Sequence, residues 1–140
     1  MQKKFKISSH IVDAKLSVES KSLETLFQNS LWGMNELLKK DFCRNIDGTQ
    51  ITSEIEIYAY SSTSLLLNFL SEILMLSHST HVIFCTAKFM TLSENYLLAR
   101  VSGSKIDKFD RNLKSVSYHE AEITKNNHGN LAADIVFDYR

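Results

Sequence analysis

Two aspartates near opposite ends of the chain stand where aspartate is a poor choice. Asp13 opens the run DAKLSVES, in which Ala14, Leu16 and Val18 alternate with Lys15, Ser17 and Glu19 as in a half-buried strand. Asp138 lies in the closing run LAADIVFDYR, where Ile135, Phe137 and Tyr139 share one face and Asp138 points to the other. Aspartate is depleted in strands, so the pair calls for an explanation. The chemistry open to carboxylates so placed is binding of a hard cation, which takes its ligands from carboxylates and backbone carbonyls. The termini of a single domain often lie close together. If the two strands are neighbours, the carboxylates converge. The spacing permits that shared site without requiring it, and two solvated surface carboxylates are the plainer reading.

Other residues join this short list. His10, three positions before Asp13, has the chemistry of a ligand, a base or a carboxylate's hydrogen-bond partner, or it is simply a satisfied polar residue. His119 lies between Tyr118 and Glu120, but in a strand it points away from both, which weakens any relay built on that triplet. Glu72 interrupts an otherwise apolar helical stretch, so it sits at the helix edge or against a Lys or Arg. No glycine-rich phosphate loop, Gly-x-Ser-x-Gly elbow or His-Glu-x-x-His pattern is present. Cys43 and Cys85 lack any Cys-x-x-Cys or zinc-site spacing and read as separate thiols, small buried hydrophobes of a reducing cytosol.

The elements that must position these residues follow from periodicity. Lys4 to Val18 gives one or two strands broken near Ser8–Ser9. SLETLFQNSLWGMNELLKK carries a 3.6-residue apolar stripe from Leu23 to Leu38, with Ser22 as N-cap. NIDG (Asn45–Gly48) signals a turn, and SEIEIYAY alternates as a strand. SSTSLLLNFLSEILMLS is a second helix whose wide apolar face suggests that it is the more buried of the two. HVIFCTAKFMTL and NYLLARVSG should pair, and KNNHG should turn a hairpin between LKSVSYHEAEIT and the last strand. Strands clustered late, without regular β-α alternation, imply an α+β fold: mainly antiparallel sheet with two amphipathic helices packed on it. With 140 residues, and no linker or repeat, residues 1–140 read as one domain. The 16 basic and 16 acidic residues cancel, so no global field recruits nucleic acid or an anionic membrane. The basic N-terminus lacks a signal-peptide core, and the longest apolar run is too short to span a bilayer, which makes a cytoplasmic location the expectation.

The order of these segments resembles the archease family over nearly the whole chain. HIVD keeps His10 and Asp13 of the family's His-Thr-Ala-Asp strand, SLETLFQNSLWGM matches its first helix, and SLLLNFLSEIL matches its second, retaining Glu72. KSVSYH, from Lys114 to His119, is similar to its Lys-Ala-Val-Thr-Tyr-His strand, and IVFDYR to its C-terminal Val-Val-x-Asp. Ser61–Ser64 stand where the family usually carries acidic residues, and Ser71 stands where it has Asn. The resemblance implies a protein without catalysis of its own that acts as cofactor to RtcB-type RNA ligases in tRNA splicing and RNA repair. Such ligases join RNA 3′-phosphate or 2′,3′-cyclic phosphate ends to 5′-hydroxyl ends with GTP and a divalent metal. The cofactor promotes guanylylation of the ligase and its multiple turnover. The resemblance also implies a cation site made by Asp13, Asp138 and the backbone carbonyl of Tyr139, with calcium first and magnesium or manganese as alternatives. His10, Glu72, Lys114 and His119 are then candidates for partner contact or for supporting the ligands, and RNA is met only through the ligase. A stand-alone metal-dependent phosphoesterase or nuclease, with His10 as ligand or base, is the alternative from enzymology. A non-catalytic interaction module with incidental carboxylates is the third reading.

Overall fold

The computed structural model of the chain describes residues 5–10, 12–44, 50–118 and 121–139. Its elements are β1 (Phe5–Ser9), β2 (Asp13–Ser20), α1 (Leu23–Leu38), a single 3-10 turn (Phe42–Arg44), β3 (Ile51–Tyr58) and α2 (Ser62–Thr80). Then follow β4 (Val82–Leu92), β5 (Tyr96–Lys105), β6 (Leu113–Val116), β7 (Thr124–Lys125) and β8 (Leu131–Tyr139). This is the expected α+β arrangement of antiparallel strands and two helices. The NIDG turn lies outside the described residues.

Both helices start where hydroxyl caps allow. Ser22 and Ser61 are extended, and their Oγ atoms accept the N–H of Thr25 at 3.2 Å and of Ser64 at 3.1 Å, satisfying donors that the first turn leaves without helical partners. The Ser61–Ser64 segment therefore has a structural use. Ser61 opens α2, and Thr63 Oγ1 accepts the Ile123 N–H at 2.9 Å.

The strands divide into two antiparallel sheets. One has the order β1-β2-β8-β6, with β7 also paired to β8, and the other has the order β3-β5-β4. Both helices bridge the sheets: α1 packs on β1, β2 and β4, and α2 packs on β6, β3, β4 and β5. The core between them holds Leu16, Phe27, Leu31, Met34, Phe69, Phe84, Ile135 and Phe137, all essentially inaccessible. Ten of the sixteen residues of α1 are buried, the polar Ser30, Asn35 and Glu36 among them, against eight of nineteen in α2. The expectation that α2 is the more buried helix is thus corrected. Its wide apolar face includes Met75, which is 70% exposed.

Two further departures have local causes. LKSVSYHEAEIT, expected as one strand, yields the short β6 and the two-residue β7. The KNNHG turn forms as expected, because Asn126 Oδ1 accepts the N–H groups of His128 and Asn130, both at 3.0 Å, and Gly129 takes φ +78°. In β4, the register slips between Ile83 and Thr86, so Phe84 and Cys85 together oppose Gly103. Val82, Ile83 and Phe84 are consequently all buried, which strict alternation forbids. A Cβ on Gly103 would run into the Ile83 carbonyl, so glycine is what lets the bulged backbone come so close.

That bulge also aims Cys85 at Cys43 in the 3-10 turn. The two form a disulfide across a Cα–Cα distance of 5.5 Å, closing a separation of 42 residues. The reading of two separate thiols is corrected by this pairing. Sequence spacing holds no signal for it, because the contact depends on the bulge and on where α1 ends.

Candidate functional site

β2 and β8 are neighbours, and their register sets Asp13 directly opposite Asp138. Backbone hydrogen bonds determine how close that pairing is. The Tyr139 N–H donates to the Val12 carbonyl at 3.0 Å, and the His10 N–H donates to the Asp13 carbonyl at 2.8 Å. Residue 13 therefore turns its backbone polar groups toward β1, while residues 12 and 139 turn theirs toward one another. Asp13 and Asp138 form a non-hydrogen-bonded pair, the closer of the two antiparallel arrangements, with Cβ atoms about 5 Å apart. Both side chains project on the sheet face away from Ala14, Leu16, Ile135 and Phe137, and both are half-buried. Like charges directly opposite one another destabilise a sheet.

The neighbouring lysine is paired with a different carboxylate. Lys15, on the same face, lies 3.5 Å from Asp134. On the other side of β8, Ser115 pairs with Asp138, and its Oγ donates to Asp138 Oδ2 at 3.3 Å. The donor set at this corner is two carboxylates, a hydroxyl and strand carbonyls, all oxygen, as a hard cation requires. Register also turns the Tyr139 carbonyl toward the strand that carries Asp13. Among the described residues, no three His, Cys, Asp or Glu side chains cluster. A cation held here would have to complete its coordination with neutral oxygens or water.

Tyr139 is anchored by its ring. Its hydroxyl lies 2.7 Å from Ser9 Oγ and accepts from Arg111 Nη1 at 3.2 Å, with the Arg111 guanidinium 5.3 Å from the ring centroid. That clamp holds the end of β8 against β1 and the segment before β6.

The other sequence candidates are distributed around this corner. His10 is exposed in the β1–β2 connection, joined to Asp13 through its backbone bond. Lys114 is exposed and is the extra residue where the β6 register slips between Leu113 and Ser115, so it flanks the serine on Asp138. Glu72 is exposed on α2, beside Ser71, which meets the Tyr118 hydroxyl at 3.4 Å near the far end of β6. The structure thus brings Asp13, Asp138 and Tyr139 together with His10 and Lys114 nearby, and sets Glu72 on another element. His119 lies outside the described residues. Ser115 and Arg111 were missed from sequence, since their roles follow from the β6–β8 register and from a connecting segment without periodicity.

Comparison with known proteins places this geometry in context. Residues 5–139 match the model of the Archease protein family (MTH1598/TM1083). A curated relative, protein archease of Methanosarcina barkeri, is 28% identical over 97% of this chain and 96% of its own. The solution structure of Methanobacterium thermoautotrophicum protein 1598 superposes with a TM-score of 0.75 at 21% identity, covering 98% of this chain and 99% of that one. The crystal structure of an archease from Thermotoga maritima, described as a possible chaperone, gives 0.65 at 16% identity, covering 95% of each chain.

Proposed function

Because this chain belongs to the archease family, a group linked to RNA-ligase biology, we propose that it activates an RtcB-type RNA ligase without catalysing a reaction itself. The observation that supports the reading most is the Asp13–Asp138 pair. Two carboxylates fixed at the close cross-strand position carry an electrostatic cost that a divalent cation removes. Asp13 and Asp138 would hold that ion with the Tyr139 carbonyl, and Ser115 orients Asp138 by its hydrogen bond. The bound ion would supply positive charge next to the ligase's nucleotide site. Calcium suits this irregular all-oxygen set best, since it accepts flexible geometry, and magnesium or manganese takes the same donors.

The chain's own residues do the positioning. The Tyr139–Ser9–Arg111 clamp keeps the end of β8 in register, so the two carboxylates stay opposed. Lys114, exposed beside that corner, offers a cation to a phosphate or to an acidic ligase surface, and His10 borders the same corner from the β1–β2 connection. Glu72 and His119 remain candidates for partner contact. A net charge of zero suits a protein whose partner grips the RNA. A cytoplasmic site of action in tRNA splicing and RNA repair belongs to this proposal.

The test is multiple-turnover joining of a 2′,3′-cyclic phosphate RNA end to a 5′-hydroxyl end by an RtcB-type ligase with GTP. Added protein should raise the number of turnovers, Asp13→Asn and Asp138→Asn should not, and the protein alone should leave RNA intact. Absence of stimulation by folded protein, or RNA cleavage by the protein alone, would overturn the reading.

A further inference from the structure

The Cys43–Cys85 bridge lies away from the carboxylate corner and has a use of its own. It ties the turn that follows α1 to the β4 bulge, and both cysteines are half-buried. They line a cavity of about 520 Å³ shared with Gln28, Trp32, Arg44 and Thr86. Arg44 and Thr86 are exposed, so the cavity meets solvent beside the sulfurs. A cavity of this volume admits a small thiol. Arg44, which follows Cys43 at the cavity rim, is ion-paired with Asp41 at 3.7 Å.

We propose that Cys43–Cys85 is a reversible redox clamp, exchanged through this cavity by small thiols, that controls how firmly the C-terminal end of α1 is held. A dithiol's thiolate bonds to one cysteine sulfur as the S–S bond breaks, and the released cysteine takes up a proton. The reductant's second thiolate then attacks the reductant sulfur of the mixed disulfide and expels the protein cysteine, which takes up a proton in turn. The reductant leaves as its own disulfide, having passed two electrons, and the chain is left with two protonated thiols.

The fold around the bridge is built to outlast its opening. Phe84 stays in the core, and its carbonyl keeps the buried Asn35 Nδ2 donor at 2.8 Å. What loosens is the end of α1 beyond Leu38. There the Lys40 N–H donates to Asp110 Oδ2 at 2.9 Å and the Asp110 N–H donates to the Leu38 carbonyl at 2.7 Å, both near the surface. These two amides report on the clamp.

The full chain, purified without reductant, is treated with dithiothreitol or left untreated, then alkylated with iodoacetamide and weighed intact. Amide hydrogen exchange is followed on both forms. Two added alkyl groups only after reduction, their disappearance on reoxidation with oxidised glutathione, and exchange about tenfold faster at Lys40 and Asp110, with β2 and β8 unchanged, are expected. Cys43→Ser with Cys85→Ser should exchange as the reduced form does and ignore reductant. Alkylation without reductant, identical exchange in the two forms, or global loss of protection on reduction would each overturn the proposal. Should the double variant fail to fold, the two forms of the native chain still decide it.

Discussion

Replacing Asp138 by asparagine should change sign with the metal. Asparagine keeps the acceptor for Ser115 Oγ and the volume, and removes only the charge that faces Asp13. Two unit charges about 5 Å apart repel by about 0.8 kcal/mol in water and by about 3 kcal/mol at an effective dielectric of 20. The half-buried outer face of the sheet lies nearer the first limit, so in chelator Asp138→Asn should gain about 1 kcal/mol of stability. An ion that binds only the folded state adds about 2.7 kcal/mol at a hundred times its dissociation constant. For a domain of this size that is a rise of about 8 °C in the wild-type Tm. The variant, left with one carboxylate, should lose most of that rise, so the two melting curves exchange order between chelator and excess calcium. Differential scanning calorimetry in both buffers measures it. A wild-type Tm indifferent to calcium, magnesium and manganese, with the variant less stable in chelator, would refute the reasoning.

Three other perturbations bear on the frame around the site. Gly103→Ala should destabilise the chain by about 3 kcal/mol or abolish folding, because the new Cβ meets the β4 backbone rather than a yielding side chain; urea titration reads this. Ser61→Ala should cost about 1 kcal/mol through the lost cap on Ser64, seen as a lower urea midpoint with an unchanged m-value. The Glu56 carboxylate accepts from the Tyr96 hydroxyl at 2.6 Å and pushes that phenol up to about 12. A raised acid holds its proton more firmly when folded, so this contribution to stability is complete below about pH 10 and is lost as pH rises through 12. One of the five tyrosines should therefore ionise late in an ultraviolet titration, and Glu56→Gln should bring it back among the others.

Periodicity and capping residues made most of the frame legible. Ser22 and Ser61 mark both helix starts, and the alternation around Ile55 and Ile135 marks two strands. The oddity of aspartate in two strand-like runs pointed to the corner where the register joins Asp13 to Asp138. What stayed hidden depended on pairings between distant segments. The partition into two sheets, the serine on Asp138 and the arginine on Tyr139 each follow from register or from a slipped ladder. A composition of hydrophobic residues does not record these. The Cys43–Cys85 bridge was missed for the same reason: three consecutive buried residues, Val82 to Phe84, betray the bulge only once Gly103 is seen opposite it. The greater burial of α1 was hidden because it also buries the polar Ser30, Asn35 and Glu36, which an apolar stripe does not mark.

The measurement that reaches the central claim most directly is single-turnover guanylylation of an RtcB-type ligase with labelled GTP in the ligase's own divalent metal, with and without this protein, and with and without added calcium. Wild type should accelerate transfer of GMP to the ligase in a metal-dependent way, while Asp13→Asn and Asp138→Asn, shown to be folded, should leave the rate where the ligase alone has it. Equal rates with and without wild-type protein, or acceleration that survives both substitutions, would contradict the account.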